Sequence, residues 1–133
     1  MDPAAVEQAL REALQAGPAD VVAAYLFGSV GRGTPHAGSD VDVAILLSRD
    51  PPATLEGLPS DVEDMLAARL RLPIQVLVLN TAPVDIAQRV LRDGRLLVDR
   101  DPSRRIRFEV RTRNEFFDLE PVLTRYRAAR PNR

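Results

Sequence analysis

Four short apolar runs, each bounded by turn-forming residues, most restrict what this chain can become. Val21-Val22-Ala23-Ala24-Tyr25-Leu26-Phe27 carries β-branched and aromatic residues and stops at Gly28, which suits a buried strand. Val41, Val43, Ile45 and Leu47 alternate with Asp40, Asp42, Ala44 and Leu46. A second strand there has one wholly apolar face and another that opens on two carboxylates. Ile74 to Leu79 reads as a third strand and Arg95-Leu96-Leu97-Val98 as a fourth.

Helical patterns lie around and between these runs. Asp2 followed by Pro3 reads as an N-cap with proline in the first turn, and Val6, Leu10 and Leu14 recur at helical spacing until Gly17-Pro18. Ser60-Asp61-Val62-Glu63 has the capping-box pattern and opens a helix to about Arg71. Pro83 starts another, with Val84, Val90 and Leu91 facing inward until Asp93-Gly94. Asp101-Pro102 caps a final helix, in which Phe116, Leu119, Leu123 and Tyr126 recur at three-four-three spacing, with Ile106, Val110 and Phe117 on neighbouring positions. Pro121 predicts a kink or a break there. Phe116, Leu119, Leu123 and Tyr126 are expected in the core. A long terminal helix has limited surface to pack on in so small a domain, so a partner or a second copy covering its far side is the alternative. Strands alternating with helices predict an α/β (α+β) fold, a small mixed sheet with helices packed on it and a helical C-terminus. At 133 residues the expectation is one domain, 1–133, with a sheet-containing core over 1–99 and a helical segment over 100–133.

Composition removes whole classes of chemistry. The chain has no cysteine and a single histidine, His36, which excludes disulfides, thiolate nucleophiles and zinc sites built on sulfur. Any metal must be held by oxygen. All 18 basic residues are arginine, so a Schiff-base lysine and a Walker loop are excluded too. No run is apolar enough to span a membrane, and Met1-Asp2-Pro3-Ala4 lacks a signal-peptide pattern, so a cytoplasmic location is expected. The net charge of −1 hides a basic C-terminal part. Arg104, Arg105, Arg107, Arg111 and Arg113 read as a solvated helix face, with a nucleotide, an RNA or an acidic partner as the alternative. No direct nucleic-acid contact is expected.

The informative stretch runs from Leu26 to Asp42. A strand ending in Gly28-Ser29 puts a residue without a side chain, then a hydroxyl, where the chain turns; free backbone N–H groups, that hydroxyl and the nearby Arg32 make a seat for phosphate oxygens. Gly28, Gly31 and Gly33 do not match the dinucleotide fingerprint. Asp40 and Asp42 lie two apart on a strand, so both carboxylates project from one face, about 7 Å apart. Like charges that close repel unless a cation or a proton lies between them. Hard oxygen ligands suit Mg²⁺. His36, in the loop before Asp40, reads as an exposed residue.

Gly28-Ser29, ten residues, then Asp40-x-Asp42 at the start of an apolar strand resembles the nucleotidyltransferase superfamily of DNA polymerase β, and in particular the minimal nucleotidyltransferases, or MNT proteins. Leu79-Asn80-Thr81-Ala82-Pro83, the stretch from Val90 to Leu97, and Phe116-Phe117-Asp118-Leu119-Glu120-Pro121 look like the family's downstream segments, so the resemblance covers roughly residues 20–125. It implies that Gly28 and Ser29 contact the triphosphate of ATP and that Asp40 and Asp42 bind Mg²⁺. An acceptor hydroxyl is brought in line with the α-phosphorus and pyrophosphate leaves. It also implies an antitoxin that transfers AMP to a tyrosine of a HEPN-domain toxin.

One position departs from the family pattern. A third carboxylate is usual on a later strand, and Gln75 stands where it aligns. Glutamine cannot act as a general base, and losing a positioned base slows transfer by roughly 10²- to 10⁴-fold. Three readings stay open: a slow transferase using two carboxylates, a transferase in which Glu109 or Asp85 substitutes, or an antitoxin that binds without catalysis. A fourth reading, modification of a small molecule such as an aminoglycoside, needs a substrate pocket and usually a further helical domain. A homo-oligomer is compatible with all of them.

Overall fold

The structure, a computed structural model, describes residues 2–28, 41–51 and 58–129. Its elements are α1 (Pro3–Gln15), β1 (Val21–Phe27), β2 (Val41–Leu47), α2 (Leu58–Leu70), β3 (Ile74–Val78), a 3-10 turn (Leu79–Thr81), α3 (Val84–Asp93), β4 (Arg95–Asp99) and α4 (Pro102–Ala129). The strands form one four-stranded sheet in the order β3-β2-β1-β4. β1 is antiparallel to both β2 and β4, and β2 is parallel to β3, so the sheet is mixed, as expected. The parallel pair requires a crossover, which α2 supplies.

Strand alternation divides the core in two. Val41, Val43, Ile45 and Leu47 join Leu10 and Leu14 of α1 and Val62 and Leu66 of α2 in one apolar cluster. Ala44 and Leu46 face the other way, into a cluster with Tyr25 of β1, Ala87 and Val90 of α3, and Phe108 of α4. The sheet is therefore the middle of three layers. A register shift between Val21 and Ala23 lets Val22 and Ala23 both join the second cluster, as a bulge does.

Polar side chains tie these layers through backbone atoms. Asp2 caps α1 by accepting from the Ala4 N–H at 3.1 Å. Arg100 donates to the carbonyls of Leu14, Gln15, Pro18 and Val21 at 2.6–3.0 Å, which binds the carbonyl-rich end of α1 to the start of β1. Asn80 accepts from the Leu47 N–H at 2.8 Å and donates to the Leu47 carbonyl at 3.1 Å, extending the ladder past the end of β2. Gly94 stays extended; a Cβ there would lie 2.5 Å from the Val90 carbonyl oxygen, so close backbone approach accounts for the glycine.

Three expectations change. α2 begins at Leu58, so Ser60 lies inside the helix, and Glu63 instead accepts from the Val76 N–H at 2.9 Å. α4 runs through Pro121 without a break; the ring removes the N–H that would reach the Phe117 carbonyl. Finally, α4 is seated by Phe108 and Thr112, while Phe116 and Leu119 are half-buried and Tyr126 is exposed. Periodicity identified residues sharing a face, but the sheet does not reach far enough to cover them. The Leu123 side chain lies outside the described residues.

Candidate active site at the uncovered end of the sheet

Phe27, Asp42 and Gln75 form one row across β1, β2 and β3. Phe27 pairs with Asp42 in the antiparallel register, and Asp42 pairs with Gln75 in the parallel one. Alternation puts Asp42 on the same face as Ala44 and Leu46. Along that face of β2 coverage falls off: Leu46 and Ala44 are fully buried, Asp42 is half-buried, and Gln75 beside it is exposed. Among the described residues, α3 and α4 cover the far end of the face and leave this end open, and Asp42 is half-buried there.

Gly28 closes the site from the β1 side. Its φ is +79°, a left-handed conformation that other residues adopt at a cost. A Cβ on Gly28 would overlap the Asp42 carboxylate, reaching Oδ2 first. The bare backbone of Gly28 therefore lies directly against the acid, two conditions that both select glycine. Ser29, Arg32, His36 and Asp40 lie outside the described residues. Of the site expected from sequence, Gly28, Asp42 and Gln75 are brought together.

Neither acid named as a substitute for the third carboxylate serves that row. The Tyr25 hydroxyl donates to Glu109 at 2.8 Å, and Arg105 grips the same carboxylate at 3.0 Å while also pairing with Asp99 at 3.0 Å. Burial, then the hydrogen bond and charge of Glu109, pushes the Tyr25 phenol well above its ordinary range. Hydrogen bonding to Asp99 outweighs desolvation at Arg105, and with Glu109 it holds the guanidinium more firmly charged. Asp85 lies in the first turn of α3, just past the 3-10 turn whose Asn80 binds Leu47, at the end of β2 opposite Asp42. Arg104 likewise turns inward, donating to the Leu47 carbonyl at 3.3 Å, so two of the five C-terminal arginines hold the fold together.

Sequence reading missed Glu63 as a neighbour of this row. Its bond to the Val76 N–H secures the edge strand one residue past Gln75, and no local pattern announces a partner across 13 residues. Among the described residues no three acids or histidines converge. Asp42 and Gln75 nevertheless present oxygen donors on adjacent strands, about 4.8 Å apart between backbones, a donor chemistry that fits Mg²⁺. A hollow of about 410 Å³ between α1 and α2, lined in part by Gly17, Pro18, Val62 and Met65, lies on the opposite side of the sheet.

Known proteins bear on the fold and the family of this chain. The chain is 32% identical over 74 residues to the protein adenylyltransferase MntA of Shewanella oneidensis, a match covering 55% of this chain and 50% of that protein; the chain thus spans about half the length of that relative. Its fold is similar to that of a chain in a toxin-antitoxin crystallised with AMP-PNP, at TM-score 0.69 and 23% identity over 90% of this chain and 97% of the other. It is also similar to a chain in the complex of a tri-AMPylated Shewanella oneidensis HEPN toxin with its MNT antitoxin, at TM-score 0.64 and 19% identity over 93% and 98% of the two chains. No helix among the described residues is long and apolar enough to cross a membrane. Residues 8–103 match the family model of the polymerase beta nucleotidyltransferases, and with most of its length inside that match the chain belongs to this family.

Proposed function

We propose that this chain transfers AMP from ATP to a tyrosine hydroxyl of a HEPN-domain toxin and so acts as its antitoxin. The observation that carries the reading is the contact between the bare Gly28 backbone and the Asp42 carboxylate at the open end of the sheet. Membership of the nucleotidyltransferase family and the likeness to a protein adenylyltransferase support it. Residues 1–133 act as a single domain, 1–99 as the sheet core and 100–133 as its helical extension, in the cytoplasm.

Gly28, Ser29 and Arg32 hold the triphosphate: Gly28 admits it close to the backbone, and Arg32 offers a forked donor. Asp40 and Asp42 are the residues that would hold Mg²⁺, which when bound neutralises charge on the phosphates and acidifies a nearby hydroxyl. The acceptor oxygen attacks the α-phosphorus, the bond to the oxygen bridging the α- and β-phosphorus breaks, and pyrophosphate departs. The hydroxyl proton passes to water, since the Gln75 amide cannot take it. ATP labelled at the α-phosphate is expected to mark the toxin, whereas γ-labelled ATP leaves it unmarked. Marking from the γ-position would overturn the reading in favour of a phosphotransferase.

Gln75, lateral to Asp42, favours a second reading in which the chain neutralises its toxin by binding alone. That reading predicts that the double variant Asp40→Ala/Asp42→Ala still protects cells from the toxin. Loss of protection in a variant that still binds the toxin would remove it.

A further inference from the structure

We infer that the solvent face of α4 is the surface on which the acceptor protein docks, its occupant being an acidic surface with an apolar groove. This rests on the proposed transfer to a protein and names where that protein is held.

Length sets the geometry. α4 has 28 residues and spans roughly 42 Å, whereas strands of five to seven residues reach about 17–24 Å. Its anchors give its direction. Arg104 binds the Leu47 carbonyl and Arg105 binds Asp99, both at the end of the sheet away from Gly28. One turn later Glu109 meets Tyr25, three residues before Gly28 on β1. The helix thus leads toward the Gly28/Asp42 end, and beyond Thr112 none of its described side chains is buried. A protein held along it is presented at the open end of the sheet.

The surface chemistry selects the occupant. Six large hydrophobic residues are exposed among the described residues, and five of them, Ile106, Val110, Phe117, Val122 and Tyr126, belong to α4. Ile106, Val110 and Phe117, at 49%, 45% and 60% exposure, fall on one stripe of the helix opposite Phe108. Arg107 and Arg113 flank that stripe, both exposed. Arg104 and Arg105 turn inward and Arg111 pairs with Glu115, which leaves Arg107 and Arg113 as the arginines beside the stripe. Two copies pairing on this face would set like charges together. An acidic groove meets both the stripe and its flanks, which is the helix-in-groove mode of recognition.

The test titrates the chain's own HEPN-domain toxin against wild type and against Val110→Glu/Phe117→Glu. Both substituted side chains face solvent, and circular dichroism verifies that the helix is retained. The expected result is a toxin affinity weakened about 30-fold or more with Mg-ATP binding unchanged. Arg107→Glu/Arg113→Glu is expected to weaken binding as well and to remove much of its salt dependence. Unchanged affinity in both variants would overturn the inference. So would light scattering that shows a wild-type dimer dissociated by Val110→Glu/Phe117→Glu, since a second copy then covers the face. Affinity is read separately from AMP transfer, so a toxin that binds wild type tightly but gains no AMP contradicts the proposed chemistry and leaves the docking face to be judged by the variants.

Discussion

A single methyl group at position 28 distinguishes a site from a turn. Gly28→Ala would force a side chain into the left-handed region, at about 1–2 kcal/mol, and press its Cβ onto the Asp42 carboxylate. The expected outcome is a folded protein, slightly lowered in thermal midpoint, with AMP transfer reduced far more than stability. Full transfer in Gly28→Ala would show that the acid is free to move aside. Gln75→Asp tests the neighbouring strand. An acid lateral to Asp42 supplies the proton acceptor that glutamine lacks, and transfer is expected to rise, by as much as about 10²-fold. No change in rate at any pH would mean that proton removal does not limit the reaction.

At the scale of elements, the fold is held at its joints by side chains that reach backbone atoms. Arg100 serves four carbonyls, including the last turn of α1, where a cation also suits the helix dipole. Arg100→Met keeps most of the stem and removes the donors, and chemical denaturation is expected to show a loss of about 2 kcal/mol. α4 is joined to β1 by the Tyr25 hydroxyl and Glu109. The phenol is raised in the folded state from an ordinary value near 10. Below that pH it is protonated in both states. Above it the unfolded chain alone ionises, so folding stability falls by about 1.4 kcal/mol per pH unit. Tyr25→Phe is expected to be less stable near neutral pH and to lose this alkaline slope. An identical slope in the variant would assign the effect to other groups.

Over the whole molecule, what could be read in the sequence was whatever depends on neighbours along the chain. β1 and β2 end where Gly28 and Leu47 said they would, because alternation and turn residues are local signals. Gly28 and Asp42 were legible as candidates for one site, but their contact was not, because the antiparallel pairing of β1 with β2 across a long connection leaves no local signal. Asn80, Glu63 and Arg100 were illegible in role: each is a polar residue whose partner is a backbone atom brought near only by folding. Phe116 and Tyr126 were assigned to the core for the opposite reason. Their spacing repeats that of Phe108 and Thr112, but as the helix outruns its sheet cover falls away, leaving Phe116 half-buried and Tyr126 exposed.

The proposed AMP transfer to a HEPN-domain toxin through Asp42 is read by intact mass spectrometry of that toxin before and after incubation with this protein, Mg²⁺ and ATP. The expected result is a gain of one or more AMP units, reduced about 10²-fold or more in rate by Asp42→Asn. A stable complex whose toxin shows no mass change, or a gain undiminished by Asp42→Asn, would contradict it.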